Sequence, residues 1–385
     1  MMVCQAKMPS CVYAGTGSIE KITEILRKEN AGSVLVFTDR GIEAAGLLPL
    51  LTDELDKGGI SYTIFDDLKA EPAYTDVERV AEEAEKADGD FVIAMGGGSV
   101  MDAAKLVSLL KGASYTVRDL LADPGIAQKH LRSAMIPTTC GTGAEATCNA
   151  IVAIPEEETK KGIVSDAMIP EYVILDPAAI AGLPKAIVAA TGVDALAHVV
   201  ECYTSKKATM LSDTFALAGA KLIFGSIRRA YQNPEDLEAK SSMMLGAYYG
   251  GVAITASGTT AVHALSYPLG GKYHIPHGVS NAILFAHVME YNLEACKEQL
   301  AGICDAIAPR LFGEDTYTKA RYVIDQIADI VKTTDIPTDL GAYGVKMDDL
   351  DFLVEAGSQQ KRLLVNNRRE LSKDDIREIY LKVLK

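Results

Sequence analysis

Six histidines occur in the 385 residues, at 130, 198, 263, 274, 277 and 287, and four of them fall between 263 and 287. Asp194 and His198 stand four apart in TGVDALAH, so on a helix they share one face. A carboxylate and an imidazole one turn apart are half of a divalent-metal site. The competing reading makes Thr191 the cap of a helix beginning there and Asp194 its capping-box acid. Downstream, His263, His274 and His277 lie within 15 positions, around a Pro/Gly turn. An Asp with three His gives four N/O ligands, suited to Zn²⁺ or Fe²⁺. Spacing leaves open which three of His198, His263, His274 and His277 would bind, and a His274–His277 pair competes.

A second kind of chemistry is written in the first half. The run MGGGSVMDAAK (95–105) leads from an apolar stretch through three glycines, Gly96, Gly97 and Gly98, to Ser99 and Asp102. Glycines let backbone approach a phosphate, and a helix start offers unpaired N–H groups. The run also reads as a tight turn with Ser99 as cap and Asp102 as its capping-box partner. A second loop, PTTCGTGAE, carries Thr138, Thr139 and Thr142 after another apolar stretch, and hydroxyls there suit a polar ligand. Asp39 ends a third such stretch. An acid in that place accepts from a ribose 2′-hydroxyl and repels a 2′-phosphate, favouring NAD over NADP, while the adjacent Arg40 softens that preference.

The elements that must hold these groups follow from the apolar rhythm. Before about residue 180, short continuous runs read as strands buried on both faces: Ser33–Phe37, Tyr62–Phe65, Phe91–Met95, Ala134–Ile136 and Tyr172–Leu175. Helical patterns at Ile19–Glu29 and Asp76–Ala87 alternate with them, which implies a mainly parallel sheet. Beyond Leu183 long helical patterns take over, at Gly192–Cys202, Leu211–Tyr231, Leu237–Ala256, Asn292–Leu311, Tyr317–Thr333 and Lys373–Lys385, with a hinge at Gly182-Leu183-Pro184. The expected organisation is an α/β domain over 1–183 and an all-α domain over 184–385.

With 52 acids against 38 bases, a net charge of −14, the chain is a poor nucleic-acid binder. Seven irregularly spaced cysteines without a Cys-x-x-Cys pair read as free thiols in a reducing cytosol. The start, MMVCQAKMPS, lacks the layout of a signal peptide, and the longest weakly polar run, 243–256, is too short to span a bilayer. A cytoplasmic protein without membrane association is expected.

Four blocks, MGGGSVMDAAK, PTTCGTGAEAT (137–147), ATGVDALAHVVECY (190–203) and the stretch from His263 to Asn292, together resemble the iron-containing (group III) alcohol dehydrogenase family, related to lactaldehyde reductase and 1,3-propanediol dehydrogenase. The resemblance covers nearly the whole chain. It implies a dehydroquinate synthase-like fold, with an α/β N-terminal dinucleotide-binding domain plus an all-α C-terminal domain. It assigns Asp194, His198, His263 and His277 as ligands of Fe²⁺, with Zn²⁺ as the other candidate, and leaves His274 as a lining or supporting residue. It assigns Asp39, Gly97, Gly98, Ser99, Asp102, Thr138, Thr139, Thr142 and Lys161 to the NAD cofactor.

The implied reaction is hydride transfer between NAD(H) and a small primary alcohol or aldehyde, the metal polarising the substrate oxygen. A homodimer or higher homo-oligomer is implied too. Many relatives carry a histidine four residues after the one matching His263; here it is Tyr267, a phenol that donates a hydrogen bond but is a poor base at neutral pH. Tyr267 is the candidate catalytic residue, orienting substrate or shaping its pocket. Lys272 would favour an acidic substrate such as a semialdehyde. A dehydroquinate synthase-like lyase would need a basic cluster, for which Lys361, Arg362, Arg368 and Arg369 are the candidates.

Overall fold

The computed structural model describes residues 3–384; Met1, Met2 and Lys385, the ends of the MMVCQAKMPS segment and of the last expected helix, lie outside the described residues. The chain forms two compact units. One is an α/β unit of Lys7–Thr139 and Gly143–Leu183, the other a helical unit of Pro184–Lys385 joined by residues 3–6 and Cys140–Thr142.

The α/β unit contains β1 (Cys11–Ala14), β2 (Ser33–Phe37), β3 (Ser61–Phe65), β4 (Phe91–Gly96), β5 (Arg132–Pro137), β6 (Asn149–Ile154), β7 (Thr159–Val164) and β8 (Tyr172–Leu175). Its helices are α1 (Ile22–Glu29), α2 (Arg40–Ala44), α3 (Pro49–Gly58), α4 (Tyr74–Lys86), α5 (Gly98–Leu110) and α6 (Val117–Ala122). Six strands make one sheet in the order β1-β8-β5-β4-β2-β3, every pair parallel. β6 and β7 form a separate antiparallel pair. The central strands are apolar throughout because helices cover both faces. Leu35, Phe37, Val92 and Ala94 pack with α4 and α5, while Val34, Val36, Phe91 and Ile93 pack with α1 and α3.

Register fixes what this sheet presents at its carboxyl edge. Phe37 pairs with Ala94, and Gly96 pairs with Pro137, so the residues leaving β2, β4 and β5 emerge side by side. The chain turns outward from β2 to β3 and then returns to place β4 on the other flank of β2. Such a reversal opens a crevice at the strand ends, where open α/β sheets bind ligands.

The helical unit comprises α7 (Lys185–Thr204), α8 (Met210–Gln232), α9 (Leu237–Ser257), α10 (Ala261–Tyr273), α11 (His277–Ile307), α12 (Thr316–Thr333), α13 (Leu350–Ser358), α14 (Lys361–Leu364) and α15 (Lys373–Leu381). α7 lies among α8, α9 and α11, and α10 packs on α11 and α13. α7 and α8 are both long and apolar enough to cross a membrane by length and composition, beyond what the 243–256 run suggested. In α7 most of that apolar surface is buried inside the unit, as in a core helix that is apolar all round.

Candidate metal site and cofactor turn

α7 begins at Lys185, not at Gly192, and this changes the meaning of Asp194. Thr191 is inside the helix, where its hydroxyl donates to the Ile187 carbonyl at 2.7 Å instead of capping. Asp194 therefore has no free N–H groups of a helix start to satisfy, yet it is buried. A carboxylate taken from water needs charge or hydrogen-bond compensation. The Pro/Gly run of the histidine segment is also helical: Pro268 lies inside α10, and the turn is confined to residues 274–276.

Three helices bring the compensation. α7 supplies Asp194 and His198, the third residue of α10 is His263, and the first residue of α11 is His277. The Nε2 atoms of His263, His277 and His198 lie 3.5, 3.6 and 3.7 Å from Asp194 Oδ1. A tetrahedral cation with bonds of ~2.1 Å has ligand–ligand edges of about 3.4 Å, so these distances to Asp194 suit one divalent ion; the ligand atoms of Asp194, His263 and His277 all lie within 4.8 Å of one another, while His198 stands outside that mutual set. The His198 and His263 rings stack at 4.6 Å, and the His263 and His277 rings lie 5.2 Å apart at 59°. Burial alone would raise the pKa of Asp194, but the imidazoles of His198, His277 and His263 hold it well below the usual carboxylate range. Burial pushes His198 below its ordinary value. In His263 burial acts the same way, and Glu201 and Asp194 overcome it, bringing that imidazole up to about 9.

Two further residues of this cluster escaped the sequence reading. Glu201 is fully buried on α7, and one of its oxygens accepts from His263 Nδ1. The other accepts from Thr260 N–H at 3.1 Å, Thr260 Oγ1 at 2.6 Å and Val262 N–H at 2.8 Å. The carboxylate thus caps the start of α10 and, in the neutral imidazole, favours the proton on Nδ1, which leaves the Nε2 lone pair for a metal. Asn281, one turn after His277, places Nδ2 2.7 Å from Asp194 Oδ1. The sequence signal for Glu201 was a lone acid seven residues after Asp194 in an apolar helix, hence on the same face. For Asn281 it was the four-residue step from His277.

Close packing sets His277 in place. A Cβ added at Gly278 would stand 2.1 Å from the Ala190 carbonyl oxygen, so the start of α11 reaches α7 only because position 278 lacks a side chain. Tyr267 is buried one turn after His263, its ring 6.1 Å from that of His277. His274 is exposed and ends α10 in the left-handed conformation at φ 54°.

In the α/β unit, Gly97 caps α5 and Gly98 is its first residue. A Cβ at Gly97 would meet only Thr139 Cγ2, at 3.5 Å, so the turn is open above its backbone. Ser99 Oγ accepts from Glu71 N–H at 3.0 Å. Asp102 is committed inward, one oxygen to buried Lys105 at 2.8 Å and the other to Ile151 N–H at 2.9 Å. Thr138 and Thr139 hydroxyls, with that of Thr38 at the end of β2, are buried and have no hydrogen-bond partner among the described residues. Buried hydroxyls rarely stay unpaired, so their clustering along one sheet edge fits a polar ligand such as a dinucleotide. Asp39 caps α2 through Ile42 N–H at 3.1 Å, and Arg40 is drawn to Asp67 at 3.2 Å. Thr142 is half-buried in the helical unit. Alternation along β7 sends the two lysines opposite ways: Lys161 is exposed and paired with Glu157, whereas Lys160 is buried and paired with Glu71, whose N–H binds Ser99.

The basic residues proposed for other chemistry are otherwise engaged. Lys272 Nζ lies 3.8 Å over the Phe352 ring and 4.0 Å from Asp349. Arg368 Nε donates to the Thr204 carbonyl at 3.0 Å, and Arg369 stacks on Tyr291 at 3.9 Å. No basic cluster of the kind a lyase would use is formed by these two.

Residues 9–177 match the model of the iron-containing alcohol dehydrogenases, and residues 188–384 match that of the C-terminal part of the Fe-containing alcohol dehydrogenase family. Long-chain-alcohol dehydrogenase 1 of Geobacillus thermodenitrificans (strain NG80-2) is 34% identical over 99% of this chain and 96% of its own length. The crystal structure of a 1,3-propanediol oxidoreductase superposes with a TM-score of 0.94 at 28% identity, covering 100% of both chains. That of sulfoacetaldehyde reductase from Bifidobacterium kashiwanohense in complex with NAD⁺ gives 0.90 at 28% identity, over 100% of this chain and 99% of that one. The chain belongs to the iron-containing alcohol dehydrogenase family and is an NAD-dependent alcohol dehydrogenase or aldehyde reductase of it.

Proposed function

We propose that the chain interconverts a small primary alcohol and its aldehyde, with Asp194, His198, His263 and His277 holding Fe²⁺ or, as second choice, Zn²⁺. The observation that carries this reading is the set of three imidazole nitrogens spaced 3.5–3.7 Å from one buried carboxylate oxygen. When bound, the divalent ion supplies a Lewis acid for the substrate oxygen and the nicotinamide supplies the hydride carrier. Asp194 contributes the one formal negative charge of the ligand set, and neutral imidazoles complete it. Glu201 keeps His263 in the tautomer that leaves Nε2 free.

The amides of Gly97, Gly98 and Ser99 at the start of α5 hold the pyrophosphate, and the Thr138 and Thr139 hydroxyls complete its hydrogen bonding. Asp39 selects the unphosphorylated ribose. Lys160 faces the Ser99 network and is better placed than Lys161 to support the cofactor. Tyr267 bounds the substrate space beside His277, its hydroxyl serving as an orienting donor.

The reductive direction, a homodimer and a cytosolic setting complete the proposal. Seven free cysteines, five of them buried, support the last. The acidic charge supports small-molecule rather than nucleic-acid partners. An acidic substrate finds no support in Lys272, whose charge is already shared with Asp349 and Phe352.

The test is NADH oxidation with a panel of short aldehydes, using chelator-stripped protein with and without Fe²⁺ or Zn²⁺. Turnover that returns only with metal is expected, and its absence across the panel would sink the reading. His263→Ala should lose turnover by at least ~100-fold; full activity in that variant refutes the ligand set.

A further inference from the structure

The end of β2 carries more charge than ribose selection by Asp39 requires. Phe37 pairs with Phe65 in the sheet, and the two strands stay together beyond it. Thr38 N–H donates to the Phe65 carbonyl at 3.0 Å, and Asp39 bridges Asp67 in antiparallel fashion. Two acids from different loops thus leave the sheet edge as neighbours. Their surroundings differ. Asp39 is half-buried and spends one oxygen on the Ile42 N–H. Asp67 is exposed and divides its carboxylate between two guanidiniums. Its Oδ1 lies 3.2 Å from Arg40 Nη2, and its Oδ2 lies 3.3 Å from Arg79 Nη2. Arg79 Nη2 also donates to the Asp67 carbonyl at 3.3 Å, and Glu83 holds the other end of that guanidinium at 2.8 Å. Arg79, on α4, therefore fixes where the Asp67 carboxylate stands. An exposed ion pair adds little to stability, so the Arg40–Asp67 pair is not explained by holding the fold together.

The pair matters for the ligand that this edge would refuse. A 2′-phosphate is close to a dianion and is recognised by a planar guanidinium fork. Arg40 follows Asp39 directly, where it could supply that fork. With Asp67 ionised, the fork is occupied, and a second negative charge faces any phosphate that approaches it.

We propose that Asp67 is a second specificity-determining residue for the cofactor, withholding Arg40 from a ribose 2′-phosphate. Asp39 acts by accepting from the 2′-hydroxyl. Asp67 acts against the phosphorylated ribose, as a repulsive element rather than a contact. The chain thereby prefers NADH to NADPH although a guanidinium stands next to Asp39. The inference rests on placing the adenine ribose beside Asp39 and goes beyond it in naming the residue that silences the adjacent arginine.

The experiment uses the full chain and reads NADH and NADPH dissociation constants from reduced-nicotinamide fluorescence. It adds kcat/KM for each nucleotide in the reduction of one short aldehyde. The readout is the preference ratio of NADH over NADPH. Asp67→Asn should lower that ratio by about 10-fold, mostly through tighter NADPH binding. The gain should shrink as salt is raised. Combining Asp67→Asn with Arg40→Ala should cancel most of it, because the released guanidinium is then missing. Asp67→Glu keeps the charge and should stay near the parent ratio. Asp67→Ser, a second neutral side chain, repeats the measurement if Asp67→Asn does not fold.

An unchanged ratio in the neutral variants overturns the proposal. So does a gain that survives intact without Arg40, or an equal loss of both nucleotides, which marks a merely structural side chain. Failure of the parent to bind either nucleotide, or a ratio unmoved by Asp39→Asn, would instead overturn the placing of the ribose, so the two failures are told apart.

Discussion

Glu145 sits buried in the loop after β5, beside the Lys105 ammonium that also holds Asp102. Burial is the main influence on its carboxyl and raises it from 4.5 to about 7, against the pull of its own backbone N–H and of Lys105. A folded-state pKa above the unfolded one means the fold prefers the protonated acid. That contribution to stability is fully present below pH 4.5 and is lost as pH rises through about 7. Glu145→Gln removes the ionisation while keeping the shape. Between pH 5 and 8 the parent should lose roughly 2–3 kcal/mol relative to this variant, read from urea midpoints at both values; parallel pH curves would refute the assignment. The candidate ligands drew notice in the sequence because histidine is scarce and Asp194 and His198 share a helix face. Glu201 and Asn281 were not, since their roles exist only where three helices meet. The ligand choice itself came from family resemblance, because spacing could not separate His274 from His277. In the structure His274 is drawn off to end α10.

At the scale of elements, the placing of His263 and His277 depends on how α10 and α11 begin. Gly278 lets the first turn of α11 touch the Ala190 carbonyl of α7. Gly278→Ala must push the helix out, carrying His277 away from Asp194. Glu201→Gln leaves the α10 cap partly made but removes the charge that fixes the His263 tautomer. Both variants should lower Co²⁺ affinity by about 10–100-fold. Gly278→Ala should also destabilise the stripped protein, by ~1–3 kcal/mol, because it overpacks a backbone contact; an unaltered thermal melt of the stripped variant would contradict the packing account. The central strands were readable as continuous apolar runs, since helices on both faces leave no polar alternation. β1, short and at the sheet edge, and the β6–β7 pair, with its alternating burial, carried weaker signals. The start of α7 was misread because Thr191 and Asp194 imitate a capping box inside a longer helix.

For the molecule as a whole, the division into two units assigns the two bound groups to separate stretches of chain. The candidate ligands all lie in the helical unit, on α7, α10 and α11. Most of the candidate cofactor residues lie in the α/β unit, at the ends of β2, β4 and β5. A ligand that binds only the folded form stabilises it by RT ln(1 + [L]/Kd), about 2.7 kcal/mol at a hundredfold excess over Kd. The local share of that stabilisation falls on the backbone that holds the ligand, where opening must break the new bonds. Amide hydrogen exchange read by mass spectrometry should therefore give two distinct footprints. Co²⁺ added to stripped protein should slow exchange in peptides spanning 190–203, 260–267 and 276–283. NADH added to the same protein should slow exchange at 96–102 and 137–140, where the glycine turn and the unpaired threonine hydroxyls lie. A Co²⁺ footprint at the glycine turn with none around His263 and His277 would overturn the metal assignment. An NADH footprint absent from 96–102 would do the same for the cofactor turn, leaving the sheet edge with buried hydroxyls that no dinucleotide explains.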